Sequence, residues 1–496
     1  MAFSLEEKIK HFAISSRLGI IVLQCVANAL IPDHNAGVFQ KPLVGNASRF
    51  DAFVDFTLGG LTRWDGQYFL HVAQYGYTYE NTLAFFPLFP LLIRQLSYLL
   101  LFFTNELSAR LFPQLENIMS LHSALIIVSV LLNNFLFVQT ALVLYRLTCQ
   151  VLKSEKLAFL SAILFCVNPA SIFFSAVYSE SLYCFLTFYG LLRLEMKNSV
   201  VTYLAIGLTG AVRSNGLINL GFIAYKYLKI RITTKMSFLF NFIFISGAFL
   251  SVFPFVFYQL YCYVKFCSGK SVHIPDFLYQ HGVSNDFVFP GNFTAWCTQP
   301  FPMAYTYVQK RYWNVDFLSY YELKQLPNFL LALPVIHIVL WGCYEFAKRY
   351  KLLLLYLGFY DDDPGTDLHV FAFPYVLHGF ALTVFAILMI HIQVTTRLLC
   401  SSSPLPYWFS ARIFSHSMKD PVQTDVFRKL RRQKKSLEYY REPDESNKSR
   451  PPKATAKRER GEAEDLARWR RRKKMLTLRN ALNSQKALKP KKDIEV

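Results

Sequence analysis

The chain has 496 residues, of which 53% are hydrophobic and 17% aromatic, and a formal net charge of +20. Runs of roughly twenty residues carry almost no charge, which excludes a soluble globular domain, and they do not alternate apolar with polar residues, which excludes a β-barrel. What remains is an all-α polytopic membrane protein; +13 of its net charge falls in residues 419–496, so the basic balance belongs to the tail and by itself does not indicate nucleic acid.

Lys8, Lys10 and Arg17 stand before the first apolar run, 18–31, and no small-residue cleavage site follows it. This reads as an uncleaved span with a cytoplasmic N-terminus. Residues 32–120 then form a first lumenal loop, in agreement with the sequon Asn46-Ala47-Ser48. Within it, 83–103 is apolar but carries Pro87, Pro90 and Arg94, which predicts a re-entrant or interface-lying helix. A strong span covers 121–147. The next run, 157–176, is broken at Asn168-Pro169, turns at Tyr178-Ser179-Glu180-Ser181 and returns over 181–194.

Residues 200–228 have positive charge at both ends, Lys197 before and Lys226, Lys229 and Arg231 after. One straight helix would break the charge rule. Two half-helices meeting at Arg213-Ser214-Asn215-Gly216 would keep it and turn Arg213 into an internal cavity. A long span over 236–266 is predicted to kink at Pro254. Residues 267–326 form a second large lumenal loop, with the sequon Asn292-Phe293-Thr294 and the aromatics Trp296, Tyr312 and Trp313. Cys267 and Cys297 bracket part of it and are free to pair if the loop is lumenal. Residues 327–343 span again. The stretch 352–360 is too short to cross alone, Asp361-Asp362-Asp363 is a solvated turn, and 367–394 is a span ending at Arg397. If 352–360 joins its neighbours in crossing, the C-terminus is cytoplasmic; otherwise it is lumenal. The tally is roughly 8–11 membrane helices. The domains are 1–414, membrane-embedded, and 415–496, a basic and mostly disordered tail, either merely solvated or drawn to anionic lipid or RNA.

Asp65 stands between Trp64 and Gly66 where the chain is too polar for lipid but flanked by segments that are not. A carboxylate at a membrane edge is solvated, paired or working. The plain alternative is an interfacial loop with a turn at Asp-Gly. No CxxC or Cys/His cluster suggests a metal; His71 has no partner at ligand spacing, and His337, His378 and His391 sit on apolar faces, where a lone histidine reads as a core or interface residue. Acids gathered at one face beside broken aromatic helices suggest an enzyme acting on a lipid-linked substrate. A transporter or scramblase would sooner bury its charges within the spans; a non-catalytic scaffold is a further alternative.

Several ordered blocks resemble one known family. Arg63-Trp64-Asp65-Gly66-Gln67-Tyr68-Phe69, Gly76-Tyr77-Thr78-Tyr79-Glu80 and Phe85-Phe86-Pro87-Leu88-Phe89-Pro90 look like the first lumenal loop of the GPI mannosyltransferase II, or PIG-V, family. So do Asn168-Pro169-Ala170 with Tyr178-Ser179-Glu180, Arg213-Ser214-Asn215-Gly216, the stretch 321–330 and Thr395-Thr396-Arg397. The resemblance covers residues 10–410 and is silent on the tail. It implies a GT-C type catalytic domain in the endoplasmic reticulum membrane and no cofactor. The activity it implies is transfer of a second, α1,6-linked mannose from dolichol-phosphate-mannose to a GPI-precursor glycolipid, with a small membrane partner subunit as a further expectation. Another dolichol-phosphate-sugar transferase with a different acceptor is the nearest alternative.

Such a transfer inverts the sugar carbon and needs one general base, which contributes about 10²–10⁴-fold. Asp65 is the first candidate, with Glu180 and Asp51 as competing carboxylates. The leaving phosphate needs cations, and Arg213 and Arg63 are placed to supply them; for Arg213 an ion pair with Glu180 is the alternative. The matching blocks also nominate Trp64, Gln67, Asn215, Phe86 and Pro87 as substrate-binding residues.

Overall fold

The structure is a computed structural model. It describes residues 4–31, 48–111, 119–197, 199–233, 237–270, 272–292, 294–359 and 371–417. The sequon at Asn46, the Asp361–Asp363 turn and the tail from residue 418 lie outside the described residues.

Among the described residues all regular structure is helical. The helices are α1 (Leu5–Leu30), α2 (Arg49–Leu58), α3 (Asp65–Tyr75), α4 (Leu88–Leu111), α5 (Leu121–Leu152), α6 (Glu155–Cys166), α7 (Glu180–Glu195), α8 (Ser199–Val212) and α9 (Leu220–Thr233). They continue with α10 (Phe238–Cys267), α11 (Asp276–Ser284), α12 (Ala304–Trp313), α13 (Leu326–Arg349), α14 (Lys351–Leu355), α15 (Phe373–Met389), α16 (Ile392–Ser402) and α17 (Leu405–Ser417). Serine side chains start many of them. Ser4, Ser48, Ser120, Ser154 and Ser237 each accept a hydrogen bond from the backbone N–H three residues on, satisfying a donor the helix leaves free.

Among the described residues four helices are long and apolar enough to cross a bilayer: Leu5–Leu30, Leu121–Leu152, Phe238–Cys267 and Leu323–Arg349. Shorter apolar helices cover Leu88–Thr104, Val200–Val212 and Phe373–Met389. The protein is therefore an all-α polytopic membrane protein. Helix α5 is its axis: it packs on α1, α4, α6 and α7, and most of its length is buried inside the protein. Within that core the rings of Phe137, Phe165 and Phe174 stack and meet edge-on. In lipid such shape matching, rather than escape from water, holds helices together.

Several elements depart from the apolar-run reading for one reason: the run does not mark where the hydrogen-bond ladder stops. Pro87 and Pro90 do not interrupt the helix. Pro87 precedes α4 and Pro90 lies in its first turn, where the missing N–H costs nothing. Helix α6 ends at Cys166, and the chain then runs irregularly to Ser179 apart from one 3-10 turn, Ser171–Phe174. The 367–394 run is not one span; α15 stops at Met389 and α16, which carries Arg397, begins at Ile392. The predicted break at Arg213 is present: α8 ends at Val212, a 3-10 turn covers Ser214–Asn219, and α9 follows.

Candidate active site

Two irregular segments meet and set the site. The first, before α3, reverses at Trp64, whose φ of 52° and ψ of −117° lie where side chains are rarely tolerated. The reversal lets Gly66 N–H donate to the Arg63 carbonyl at 3.1 Å and places Asp65 as the first residue of α3. The second segment, 175–179, is tied to the first by Val177 N–H on the Leu61 carbonyl at 2.9 Å and by the Tyr178 hydroxyl on the Arg63 carbonyl at 3.0 Å. Asn133 of α5 donates to the carbonyls of Ala176 and Tyr178, so this non-helical backbone is satisfied from within the protein. Glu180 then opens α7. Both carboxylates thus sit at helix N-termini, where the helix dipole favours negative charge.

Two guanidiniums complete the cluster. Arg213 precedes the 3-10 turn in extended conformation, with its Nη1 2.5 Å from Glu180 Oε1. Arg397 comes from α16; its Nη1 lies 2.7 Å from Asp65 Oδ2 and 3.6 Å from Glu180 Oε1. The Arg397 guanidinium also faces the rings of Phe173 and Tyr178, at 5.3 Å and 5.6 Å. Burial opposes its charge, but Asp65 and Glu180 outweigh that and hold it more firmly protonated than a free arginine.

The four charges line a cleft with about 1010 Å³ of empty space, the solvent at its open mouth included. Phe85, Tyr305, Trp313 and Phe385 give it apolar walls, and Asn215, Gln309 and His391 add polar groups. Burial pushes the His391 imidazole below its ordinary value, against a hydrogen bond to the Trp313 backbone. The α12 wall is fixed to the first loop by Glu80. That fully buried carboxylate accepts from Trp296 Nε1 at 3.0 Å and the Tyr312 hydroxyl at 2.8 Å, with Arg311 Nη1 at 3.4 Å. A disulfide, Cys267–Cys297, closes the base of the second loop, which carries α12.

Of the residues nominated from sequence, the structure brings Asp65, Glu180, Arg213, Asn215 and Phe86 to the cleft. Phe86 is almost fully buried against Phe255, Tyr258 and Tyr305. Pro87, Arg63, Trp64 and Gln67 are not among the lining residues. Arg63 reaches Asn28, Trp64 is largely exposed, and Gln67 donates to the Thr62 carbonyl at 3.0 Å, bracing the turn. Asp51 is also elsewhere: it caps α2 and accepts from Ser48, Ser120 and Ser123, joining the starts of α2 and α5. Burial raises its pKa, but these serine donors outweigh that and hold it well below the usual carboxylate range.

Arg397 stands in one of the matching sequence blocks, Thr395-Thr396-Arg397, but is not among the residues nominated for the site. An arginine just past an apolar run reads as a flank signal; the clue was that it is the only charge in α16, just after a break between two helices.

A family profile described as mannosyltransferase (PIG-V) matches residues 6–441. The chain belongs to the PIG-V mannosyltransferase family. Among its relatives is the GPI alpha-1,6-mannosyltransferase 2 of Cricetulus griseus, 38% identical over 85% of this chain and 86% of the relative. The Homo sapiens protein of the same name is 36% identical over 82% and 84%. The GPI mannosyltransferase 2 of Drosophila melanogaster is 36% identical over 82% and 90%. In this PIG-V family member the cleft brings two carboxylates and two guanidiniums together between aromatic walls.

Proposed function

We propose that the protein adds an α1,6-linked mannose, the second, to a GPI-precursor glycolipid, taking it from dolichol-phosphate-mannose in the lumen of the endoplasmic reticulum. The reading rests on the relatives' names together with one observation: Asp65 lines the cleft paired with Arg397, and Arg213 lines the same cleft beside Glu180. The acceptor 6-hydroxyl oxygen attacks C1 of the mannose, the C1–O bond to phosphate breaks, and dolichyl phosphate leaves with the bonding electrons. The hydroxyl proton passes to Asp65, and a β-linked donor gives an α-linked product. Asp65 is preferred to the other carboxylates because it is the more exposed of the two in the cleft, and Asp51 lies outside it. Its side chain is 29% exposed, that of Glu180 is 1% exposed behind two arginines, and Asp51 is taken up by serines. The Cys267–Cys297 disulfide supports an oxidising compartment for the second loop.

Cells lacking the protein should accumulate a GPI precursor bearing one mannose. Full-length protein should cure this, and Asp65→Asn, at equal abundance, should lower transfer at least about 100-fold. Normal surface display of GPI-anchored proteins in cells carrying only Asp65→Asn would remove Asp65 from the mechanism. Accumulation of a different lipid would replace the acceptor.

A further inference from the structure

The cleft holds more cationic capacity than a structural ion pair uses. Glu180, 1% exposed, sits at its back and draws two guanidiniums to one place, with Arg213 Nη1 at 2.5 Å and Arg397 Nη1 at 3.6 Å. Left without it, two arginines this close would repel. Arg397 meets both carboxylates through a single nitrogen, Nη1. A guanidinium has five N–H donors in a planar fork, so most of its capacity is not spent on Asp65 or Glu180. The side chains of Arg213 and Arg397 are 18% and 14% exposed, and both line the cleft that contains Asp65.

We propose that Arg397 and Arg213 form one clamp for the donor phosphate, anchored by Glu180, and that phosphate entry draws Arg397 off Asp65 so that the base is uncovered only when the donor is in place. This rests on the function proposed above.

The charge balance of the reaction favours this. Without substrate, Asp65 and Glu180 offset Arg213 and Arg397, and Asp65 is covered by a cation at 2.7 Å. The donor is a phosphodiester with one negative charge, and it competes with Asp65 for Arg397. During transfer the acceptor proton goes to Asp65, which becomes neutral, while the C1–O electrons go to the phosphate, which becomes a monoester. One negative charge therefore passes from Asp65 to the phosphate. Arg397 lies beside the first position and within reach of the second, and a cation fixed where charge develops is the most effective kind of stabilisation. An arginine suits this better than a lysine, because its fork can hold Glu180 and a phosphate oxygen together.

The test uses full-length protein in membranes from null cells, with dolichol-phosphate-mannose and the one-mannose acceptor both titrated. Arg397→Lys should raise the donor KM about tenfold, with the acceptor KM nearly unchanged. The inhibition constant for added dolichyl phosphate should rise in parallel. Arg213→Lys should do the same, and Arg397→Gln should be worse than Arg397→Lys in donor KM. An unchanged donor KM and unchanged dolichyl phosphate inhibition in Arg397→Lys, with kcat alone reduced, would overturn the clamp. So would failure of Arg397→Lys to accumulate, which would make the residue part of the fold. No wild-type transfer from this donor in the same membranes would instead sink the proposed function.

Discussion

Arg397 and Asp65 are 332 residues apart in sequence and 2.7 Å apart in space. That ion pair joins the helix that follows the last apolar run to the first large loop, and with Glu180 and Arg213 it makes a four-charge cluster inside a membrane protein. Glu180 is buried and the other three are partly withdrawn from water, and such charges are costly to unpair, so the cluster makes testable demands on stability as well as on chemistry.

Glu180 should matter more to the fold than to proton transfer. Glu180→Gln keeps the shape but leaves Arg213 and Arg397 without their shared anion. Breaking a buried pair from one side costs about 3–5 kcal/mol, which predicts a clear fall in the unfolding midpoint of the detergent-solubilised protein. Removing Arg213 as well should recover part of the loss. An unaltered midpoint in Glu180→Gln would show that the cluster contributes nothing to stability.

Gly216 and Gly66 stand in similar motifs but should behave oppositely. A Cβ at Gly216 would collide with the backbone of Thr209 and Gly210, which cannot yield as a side chain can. Gly216→Ala should therefore push the 3-10 turn off α8, displace Arg213, and lower both abundance and transfer, with a stability cost of about 1–3 kcal/mol. At Gly66 the nearest atom to a Cβ is the Val177 carbonyl oxygen at 3.5 Å, an ordinary contact. Gly66→Ala, in the first turn of α3, should accumulate normally. Western blots of the two variants side by side decide it.

The Cys267–Cys297 disulfide closes a separation of 30 residues. By loop-closure entropy it should contribute about 3–4 kcal/mol. Cys267→Ser or mild reduction should loosen the second loop and raise its sensitivity to protease. Transfer should fall too, because α12 carries Tyr305, Gln309 and Trp313 into the cleft. The paired variant Cys267→Ser/Cys297→Ser should resemble the single variants, which separates loss of the bridge from harm by a stray thiol.

Asp51 predicts a pH dependence. Its folded-state pKa is depressed below the ordinary 3.8, so its contribution is fully present above that value and is lost as pH falls through the folded one. The stability difference between wild type and Asp51→Asn should be constant from neutral pH down to about pH 4 and shrink below it. A difference that changes between pH 7 and pH 5 would mean another group is responsible. Transfer by Asp51→Asn should fall only as far as abundance does, since Asp51 bonds serines away from the cleft.

The sequence by itself determined the class of the protein and much of its local punctuation. Apolar length required membrane helices, and charge on both sides of one run pointed to a break at Arg213. The blocks around Asp65 and Glu180 pointed to the family. These features are local: they depend on what a dozen neighbouring residues need from lipid, water and the backbone ladder. Only the tertiary structure decided which charges meet. It joined Arg397 to Asp65, left Arg63 outside the cleft and gave Asp51 to a helix cap. An ion pair between distant segments leaves no periodic trace in either one, and an arginine past a span reads the same whether it faces lipid headgroups or a buried carboxylate.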